Sequence, residues 1–309
     1  MIRVSNDLPM ISIVTPTFNR ANMIRTAIES VLRQGYSNFE HIVVDGQSSD
    51  GTMAVLADYP HLRVVSEKDR GVYDALNKGV HLACGEIIGH LNSDDVYTPD
   101  ALMAVARQFQ QDPAVDVVSG NATISVAMVD GSRRIIKRYE TPADRELTFA
   151  TGTIGTPLIN ARFFRRRVYD RIGLYDSSYR FSGDCDFLIR AALSKPKQAG
   201  IDAVVYDYLS HNASLTLHNG TSSFMPVYSE VLRLTKRYIE SPTSPAELRR
   251  CCVKLRRQSA SRVCIEQQRN RNWSGFAKIF WRGLRLDPIW PLCFAKVVLC
   301  RLVRPPSRR

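Results

Sequence analysis

Short apolar runs alternate with stretches of helical periodicity over the first 120 residues. The runs ISIVTPT, HIVVDG, LRVVSE, EIIGHL and VDVVSG are rich in β-branched residues and end in polar or turn-forming residues, which is typical of buried strands. Between the runs, apolar residues recur at helical spacing, as in Ile24, Ala27, Ile28 and Val31. Strands that alternate with helices predict an α/β fold, a Rossmann-like and mostly parallel sheet with flanking helices.

The pattern changes after residue 120. The stretch ATISVAMVDGSRRIIKRYE predicts a β-hairpin with Asp130 and Gly131 in its turn, and TGTIGTPL predicts a polar loop. The stretch SGDCDFLIRAAL predicts a helix whose first turn carries Asp184 and Asp186. From about Tyr228 onwards the chain is predicted to be helical and basic.

This change in pattern predicts a division of the chain. We expect a domain over residues 1–225, which itself has two halves, 10–120 and 121–225. A basic amphipathic helical region is expected over residues 226–309.

Four polar clusters come directly after predicted strands of the first half. The carboxyl ends of parallel strands lie at one edge of a sheet, and ligands bind there in open α/β folds. The clusters therefore predict a single binding site. They are Thr15, Pro16 and Asn19; Asp45 with Gly46; Asp69 with Arg70; and Asn92 to Asp95.

The adjacent carboxylates Asp94 and Asp95 are the first candidates for chemistry. Two like charges after a buried strand repel each other unless a cation meets them. A bare Asp-Asp pair is more often a solvated turn, but the neighbouring clusters favour a site for Mg²⁺ or Mn²⁺, which take oxygen ligands and share them with substrate phosphates.

The clusters on the other strands suit a nucleotide. Asp45 either closes an ordinary strand–turn–helix joint or accepts hydrogen bonds from a base or ribose. The start of the next helix is surrounded by Asp69, Arg70, Asp74, Asn77 and Lys78. A solvated helix face is the alternative for Asp74 and Lys78, which form an i,i+4 pair. The chain has neither GxGxxG nor GxxxxGK[ST], so no dinucleotide or P-loop site is indicated.

Asp184 and Asp186 are candidates for a general base. Acidic residues in a first helical turn also stabilise the helix dipole, which is the simpler explanation. A carboxylate held near an acceptor hydroxyl could instead remove its proton. Spacing alone does not separate the two residues.

Charge is distributed unevenly along the chain. Residues 1–110 carry 9 basic and 13 acidic side chains, whereas residues 231–309 carry 19 and 4, a net charge of +15. Basic amphipathic helices with interfacial aromatics bind anionic membrane surfaces, and we expect this of residues 231–309; a solvated helical cap is the alternative. Nucleic acid is not an expected partner, because the half with the candidate site is acidic and contains no recognised module.

The N-terminus has no run typical of a signal peptide, and seven cysteines show no metal-binding spacing. We therefore expect a cytoplasmic protein, peripheral on the cytoplasmic face of the inner membrane.

Three segments closely resemble the family 2 glycosyltransferases of bacterial polysaccharide and glycoconjugate assembly, over roughly residues 10–215. The resemblance implies a GT-A fold, with residues 10–120 binding a UDP-, GDP- or dTDP-linked sugar and residues 121–225 binding the acceptor. It implies metal-dependent transfer, with inversion, to a hydroxyl of a lipid-linked or polysaccharide acceptor. The segments are ISIVTPTFNRANMIRTAIESVLRQGYSNFEHIVVDGQSSDGT, EKDRGVYDALNKG and GEIIGHLNSDDVYTPD.

The resemblance also assigns roles to residues. It matches Asp94 and Asp95 to the metal-binding DxD-type element, although Asn92 stands where many members have the first Asp. It matches Asp184 to the catalytic base, with Asp186 as the rival. The residues that it matches to the nucleotide site are Thr15, Pro16, Asn19, Asp45, Asp69 and Arg70.

Two other functions compete with glycosyl transfer. A nucleotidyltransferase would share the sheet and the metal carboxylates, but it should show a Gly/Arg/Lys-rich phosphate loop, and TPTFNRANM has no glycine. A non-catalytic nucleotide-sugar or membrane-binding protein would share the fold, but the presence of Asp45, Asp95 and Asp184 argues against it.

Overall fold

The computed structural model describes residues 8–128, 132–154, 158–211 and 224–303. The chain divides into two units, Met1–Asn219 and Gly220–Arg309. The described part of the first unit contains one nine-stranded sheet with helices, and that of the second contains four helices.

The first unit follows the alternation expected from the sequence. Its strands are β1 (Ile11–Thr17), β2 (Phe39–Asp45), β3 (Leu62–Ser66), β4 (Ile87–His90), β5 (Val96–Tyr97), β6 (Val117–Ala127), β7 (Arg133–Tyr139), β8 (Arg162–Arg165) and β9 (Gln198–Leu209). Its helices are α1 (Ile24–Leu32), α2 (Thr52–Ala57), α3 (Val72–Leu82), α4 (Ala101–Gln111), α5 (Pro142–Arg145), α6 (Phe149–Thr153), α7 (Arg166–Ile172) and α8 (Gly183–Leu193). A 3₁₀ turn covers Ile159–Ala161.

The sheet has the strand order β3-β2-β1-β4-β8-β6-β9-β5, and β7 pairs with β6. Strands β3, β2, β1 and β4 are parallel, whereas β8 runs antiparallel to both β4 and β6. In the parallel part, Thr17 is paired with Asp45 and Asp45 with Ser66. These strands therefore end at one edge, as predicted.

Burial on both faces explains why the parallel strands are so apolar. All seven residues of β1 are buried, which is typical of a parallel strand covered by helices on both sides. Helix α3 packs so close to β1 that a Cβ on Gly79 would lie 2.2 Å from Val14 Cγ1. The fold class is confirmed as α/β with a mostly parallel sheet.

The second half of the sheet departs from the prediction in two places. Strand β6 continues through Gly120, because this glycine leaves space for Val205, whose Cγ1 would lie 2.5 Å from a Cβ at that position. The predicted loop TGTIGTPL starts inside α6, where Thr148 and Thr151 form a capping box. Residues 155–157 of that loop lie outside the described residues.

The hairpin prediction is confirmed in its pairing. Strands β6 and β7 are antiparallel, with Ala122 opposite Tyr139 and Ala127 opposite Arg133. The predicted turn residues Asp130 and Gly131 lie outside the described residues.

The second unit is helical, as the sequence indicates. Its helices are α9 (Met225–Glu240), α10 (Ala246–Arg269), α11 (Trp273–Leu286) and α12 (Trp290–Val303). Its buried core contains Tyr228, Val263, Cys264, Ile279 and Trp290. In the part of the chain that the structure describes, no helix combines the length and apolarity needed to cross a membrane.

Candidate active site

Asp45 organises the sheet edge at the end of β2. Its side chain is fully buried and accepts hydrogen bonds from the Ser48 amide (3.0 Å), the Ser48 hydroxyl and the Ser66 hydroxyl (2.7 Å). Such bonds compensate a carboxylate for lost hydration. Asp45 therefore lies at the predicted edge and joins the ends of β2 and β3.

The β1 end is tied to the same loop. Asn19 has a left-handed backbone with φ of 52°; its amide donates to Ser48 Oγ (2.7 Å), and its Oδ1 accepts from the Ser49 amide (2.9 Å). Thr15 and Pro16 are buried within β1, and the Thr15 hydroxyl is 2.9 Å from Nε2 of His41. The side chain of Thr15 thus faces the protein interior.

Asp69 and Arg70 follow β3 and are more accessible. Asp69 Oδ1 accepts a hydrogen bond from the Gly71 amide (2.9 Å). A Cβ placed on Gly46 would lie 2.7 Å from Asp69 Oδ2, so the carboxylate packs closely against this glycine. The Arg70 side chain is 74% exposed and pairs with Asp74 at 2.8 Å. Asp74 is only 15% exposed and also accepts a hydrogen bond from the Arg70 amide at 3.1 Å.

Asn77 is placed differently from these residues. Its Nδ2 donates to the Tyr175 carbonyl (2.8 Å), and its Oδ1 accepts from the Tyr175 amide (2.9 Å). Both ends of the amide side chain therefore hold the backbone ahead of α8. This geometry gives Asn77 a supporting position beside the site.

Asp95 is enclosed by hydrogen bonds. Its Oδ2 accepts from Asn92 Nδ2 (2.9 Å) and the Tyr206 hydroxyl (2.9 Å), and its Oδ1 accepts from the Leu209 amide (2.8 Å). Only 3% of the residue is exposed. Burial, followed by the neighbouring charge of Asp94, raises the pKa of Asp95.

Asp94 is positioned to meet a ligand. Its Oδ2 lies 2.8 Å from His211 Nε2, and both side chains are partly exposed. Strand β7 adds a positive group, since Arg133 contacts both Asp207 (3.1 Å) and the Asp94 carbonyl. A carboxylate and an imidazole at this distance form a two-ligand donor set.

This donor set fits a divalent cation that shares its ligands with a substrate. Within the described ranges, no three or more His, Cys, Asp or Glu side chains are grouped so as to hold a metal ion by themselves. Mg²⁺ is commonly held by one or two carboxylates together with phosphate oxygens and water. Asp94 would supply the carboxylate, with His211 hydrogen-bonded beside it.

Asp184 lies at the start of α8 in a poorly hydrated position. Its Oδ1 accepts from the Cys185 amide (2.7 Å) and from the Tyr73 hydroxyl (3.3 Å). Burial raises the pKa of Asp184 to about 6. Burial, and then the charges of Asp95 and Asp184, raise the pKa of Tyr208, so β9 lies within electrostatic reach of both carboxylates.

Asp186 has a different environment. It is fully buried, and its Oδ2 accepts from Arg190 Nε at 2.7 Å. The same guanidinium also donates to the carbonyls of Ile172 and Leu174. Asp186 therefore helps to fasten α8 to the segment after α7.

Several residues of the site were missed by sequence reasoning. The run AVVYDYLSH, which ends in His211, has the β-branched and aromatic content of a strand followed by a polar residue, so its signal was available. Phe18 was also missed; its side chain is 56% exposed and packs beside Gly46. Tyr73 had no sequence signal, because its partner Asp184 is distant in the chain.

Comparisons with known proteins identify the family. The model of glycosyl transferase family 2 matches residues 12–173, and the chain belongs to that family. It is a glycosyltransferase of the GT-A fold. The nucleotidyltransferase and the non-catalytic binding protein are therefore set aside.

Named relatives and solved structures are similar to the chain. A "PGL/p-HBAD biosynthesis glycosyltransferase" of Mycobacterium bovis is 32% identical over 188 residues, which is 59% of this chain and 69% of the relative. TarS of S. aureus has a TM-score of 0.58 at 18% identity, covering 82% of this chain and 43% of TarS. The mannosyltransferase PcManGT of Pyrobaculum calidifontis, solved with GDP-Man and Mn²⁺, has a TM-score of 0.57 at 17% identity, covering 94% and 84%. At such identities the structural likeness shows the fold.

Proposed function

We propose that this chain is an inverting, metal-dependent glycosyltransferase, which moves a sugar from a UDP-, GDP- or dTDP-linked donor to an acceptor hydroxyl. The observation that carries the proposal is the placement of two unlike carboxylates. Asp94 faces His211 at 2.8 Å near the sheet edge, and Asp184 lies in a poorly hydrated position at the start of α8. The similar solved structures include complexes with UDP, UDP-GlcNAc and GDP-Man, and these complexes support a nucleotide-sugar donor.

In this proposal the nucleotide lies across the edge formed by β1, β2 and β3. Arg70 reaches the diphosphate, Asp69 meets the ribose, and Phe18 packs against the base. Thr15, Pro16, Asn19, Asp45 and Asn77 hold these elements in place through buried contacts. Exposed aromatic and cationic groups suit a nucleotide, which offers a flat base and a negative diphosphate.

Asp94, rather than Asp95, is proposed as the direct metal ligand. Both carboxylate oxygens of Asp95 accept hydrogen bonds, from Asn92, Tyr206 and Leu209, whereas Asp94 contacts the partly exposed side chain of His211. When bound, Mg²⁺ or Mn²⁺ supplies positive charge that stabilises the leaving diphosphate. Asp95 and Asn92 keep the loop in the required conformation.

Asp184 is proposed as the general base. A carboxylate with a pKa of about 6 is mostly ionised near pH 7 but retains more basicity than an ordinary Asp, which suits proton removal from an acceptor hydroxyl. The hydroxyl oxygen attacks the anomeric carbon as its proton passes to Asp184, and the bond to the diphosphate breaks. A single displacement inverts the configuration.

The acceptor is proposed to be a lipid-linked or polysaccharide hydroxyl. The second unit supports a membrane setting, because residues 231–309 carry a net charge of +15 and expose Trp273 and Trp281. We propose that the chain binds the anionic cytoplasmic face of the inner membrane through this region, and that nucleic acid is not a partner.

The substitution Asp184→Asn tests the proposed function. We expect it to reduce sugar transfer by about 10³-fold or more, because the amide cannot accept the proton, while donor affinity stays within about twofold. Transfer to water, followed as release of nucleoside diphosphate, can be measured without a known acceptor. Undiminished turnover in Asp184→Asn would remove Asp184 from the role of base.

A further inference from the structure

Helix α3 connects the proposed donor site with the proposed base. It starts directly after Asp69 and Arg70, and its second residue is Tyr73, whose hydroxyl donates to Asp184 Oδ1 at 3.3 Å. Tyr73 is buried, and a Cβ on Gly183 would lie 2.7 Å from its ring. The glycine before Asp184 therefore lets the aromatic ring approach the first turn of α8.

The ring of Tyr73 is itself held in place. It stacks on Tyr175 with a centroid distance of 5.7 Å, and Tyr175 stacks on Phe187 at 4.4 Å. The backbone of Tyr175 is fixed by both ends of the Asn77 side chain. The hydroxyl of Tyr73 thus approaches Asp184 from a packed aromatic stack, in which rotation of the ring is restricted.

Oδ1 of Asp184 is the oxygen that Tyr73 contacts. It accepts hydrogen bonds from the Tyr73 hydroxyl at 3.3 Å and from the Cys185 amide at 2.7 Å. The Cys185 side chain also forms a hydrogen bond with this carboxylate. The titratable groups near Asp184 are Tyr73 from α3, Cys185 from α8, Tyr175 from the segment before α8, and Tyr208 from β9.

We propose that Tyr73 is a positioning residue, which holds Oδ1 of Asp184 by a hydrogen bond and so fixes the orientation of the carboxylate that receives the proton. This inference rests on the proposed function, since it takes Asp184 as the base. A phenolic hydroxyl that donates to Oδ1 also stabilises the ionised carboxylate, so Tyr73 keeps the base ready at a lower pH than burial alone would permit. Tyr73 therefore affects both the orientation of the Asp184 carboxylate and its protonation state.

The test is the pH dependence of turnover in Tyr73→Phe, with nucleoside diphosphate release from a nucleotide-sugar in the presence of Mn²⁺ as the assay. Burial raises the pKa of Asp184, and the lost hydrogen bond raises it further. We expect the acidic limb of the kcat profile to move upwards by about half a pH unit or more. Near pH 6 kcat should fall about twofold or more, whereas KM for the donor should stay nearly unchanged.

Tyr175→Phe is the matched control, because it removes a hydroxyl from the adjacent ring of the same stack. We expect its acidic limb to coincide with that of the unsubstituted chain. Gly183→Ala is a second variant that pushes the Tyr73 ring away from Asp184, and it should shift the limb in the same direction as Tyr73→Phe. Thermal unfolding of each variant checks that the fold is kept.

The outcomes separate this inference from the proposed function. An unshifted acidic limb in Tyr73→Phe, with Asp184→Asn inactive, would overturn the role of Tyr73 and leave Asp184 as the base. Equal shifts in Tyr73→Phe and Tyr175→Phe would also overturn it, because the effect would then belong to the stack. An active Asp184→Asn would instead remove the base assignment on which the inference rests.

Discussion

Individual carboxylates of the site were found from sequence, but their roles depend on partners that sequence spacing does not give. Asp94 and Asp95 are neighbours with identical chemistry, yet Asp95 is enclosed by Asn92, Tyr206 and Leu209. The contacts with Tyr206 and Leu209 join residues more than a hundred positions apart. The partner of Asp186 could be predicted from the sequence, because Arg190 lies four residues later on the same helix, at the spacing of an i,i+4 ion pair.

Asn92 occupies a position where the family resemblance leads one to expect a carboxylate. Its side-chain amide donates to Asp95 Oδ2 at 2.9 Å, so an Asp here would replace a donor with a second negative charge beside a buried carboxylate. We expect Asn92→Asp to lower the free energy of unfolding at pH 7 by about 1–3 kcal/mol, the cost of an unsatisfied buried acceptor.

Denaturant unfolding measures this effect, and pH supplies its control. Near pH 4 the added carboxyl group becomes protonated and can donate again, so the difference from the unsubstituted chain should shrink. Burial and Asp94 already raise the pKa of Asp95, and a further carboxylate acts in the same direction. Equal stability of the two chains at pH 7 would contradict this account of Asn92.

At the scale of elements, the parallel strands and their helices were predictable because their apolar periodicity is strong. Strands β8 and β9 were not predicted, although β9 carries Tyr206 and Tyr208 into the site. Gly120 was taken as the end of β6, but its missing side chain makes room for Val205 of β9. Long-range pairing of this kind, unlike periodicity, leaves little trace in the local sequence.

Helix α11 carries the features expected of a membrane-contacting element. Trp273 and Trp281 are 61% and 59% exposed on it, and its cations Lys278, Arg282 and Arg285 are also exposed. Its partly buried aromatics pack with Trp290 in the core of the second unit. The exposed face is thus both aromatic and basic.

The double substitution Trp273→Ala/Trp281→Ala tests this face. Loss of two large apolar side chains should weaken binding to vesicles that contain anionic lipid by about tenfold or more. Leu32→Ala in α1, which also removes an exposed apolar side chain, is the matched control and should bind like the unsubstituted chain. Co-sedimentation with the vesicles measures the binding of the double variant and of the control. Unchanged vesicle binding in the double variant would rule out α11 as the membrane contact.

At the scale of the whole molecule, the two units of the chain differ in charge and in whether the family match covers them. The family match ends at residue 173, whereas the basic residues are concentrated beyond residue 230. The fold could thus be predicted from the first two thirds of the sequence, whereas the position of the site stays a prediction. The donor's sugar and base could not, because they depend on the shape of the pocket.

Donor binding is the central claim of this account, and thermal unfolding with a panel of nucleotide-sugars tests it most directly. With UDP-, GDP- and dTDP-sugars and Mn²⁺, one nucleotide class should raise Tm; at 100 times its Kd the expected stabilisation is about 2.7 kcal/mol. EDTA, or the substitution Asp94→Asn, should remove most of this shift and abolish turnover. No increase in Tm with any member of the panel, in the presence or absence of metal, would contradict the proposed function.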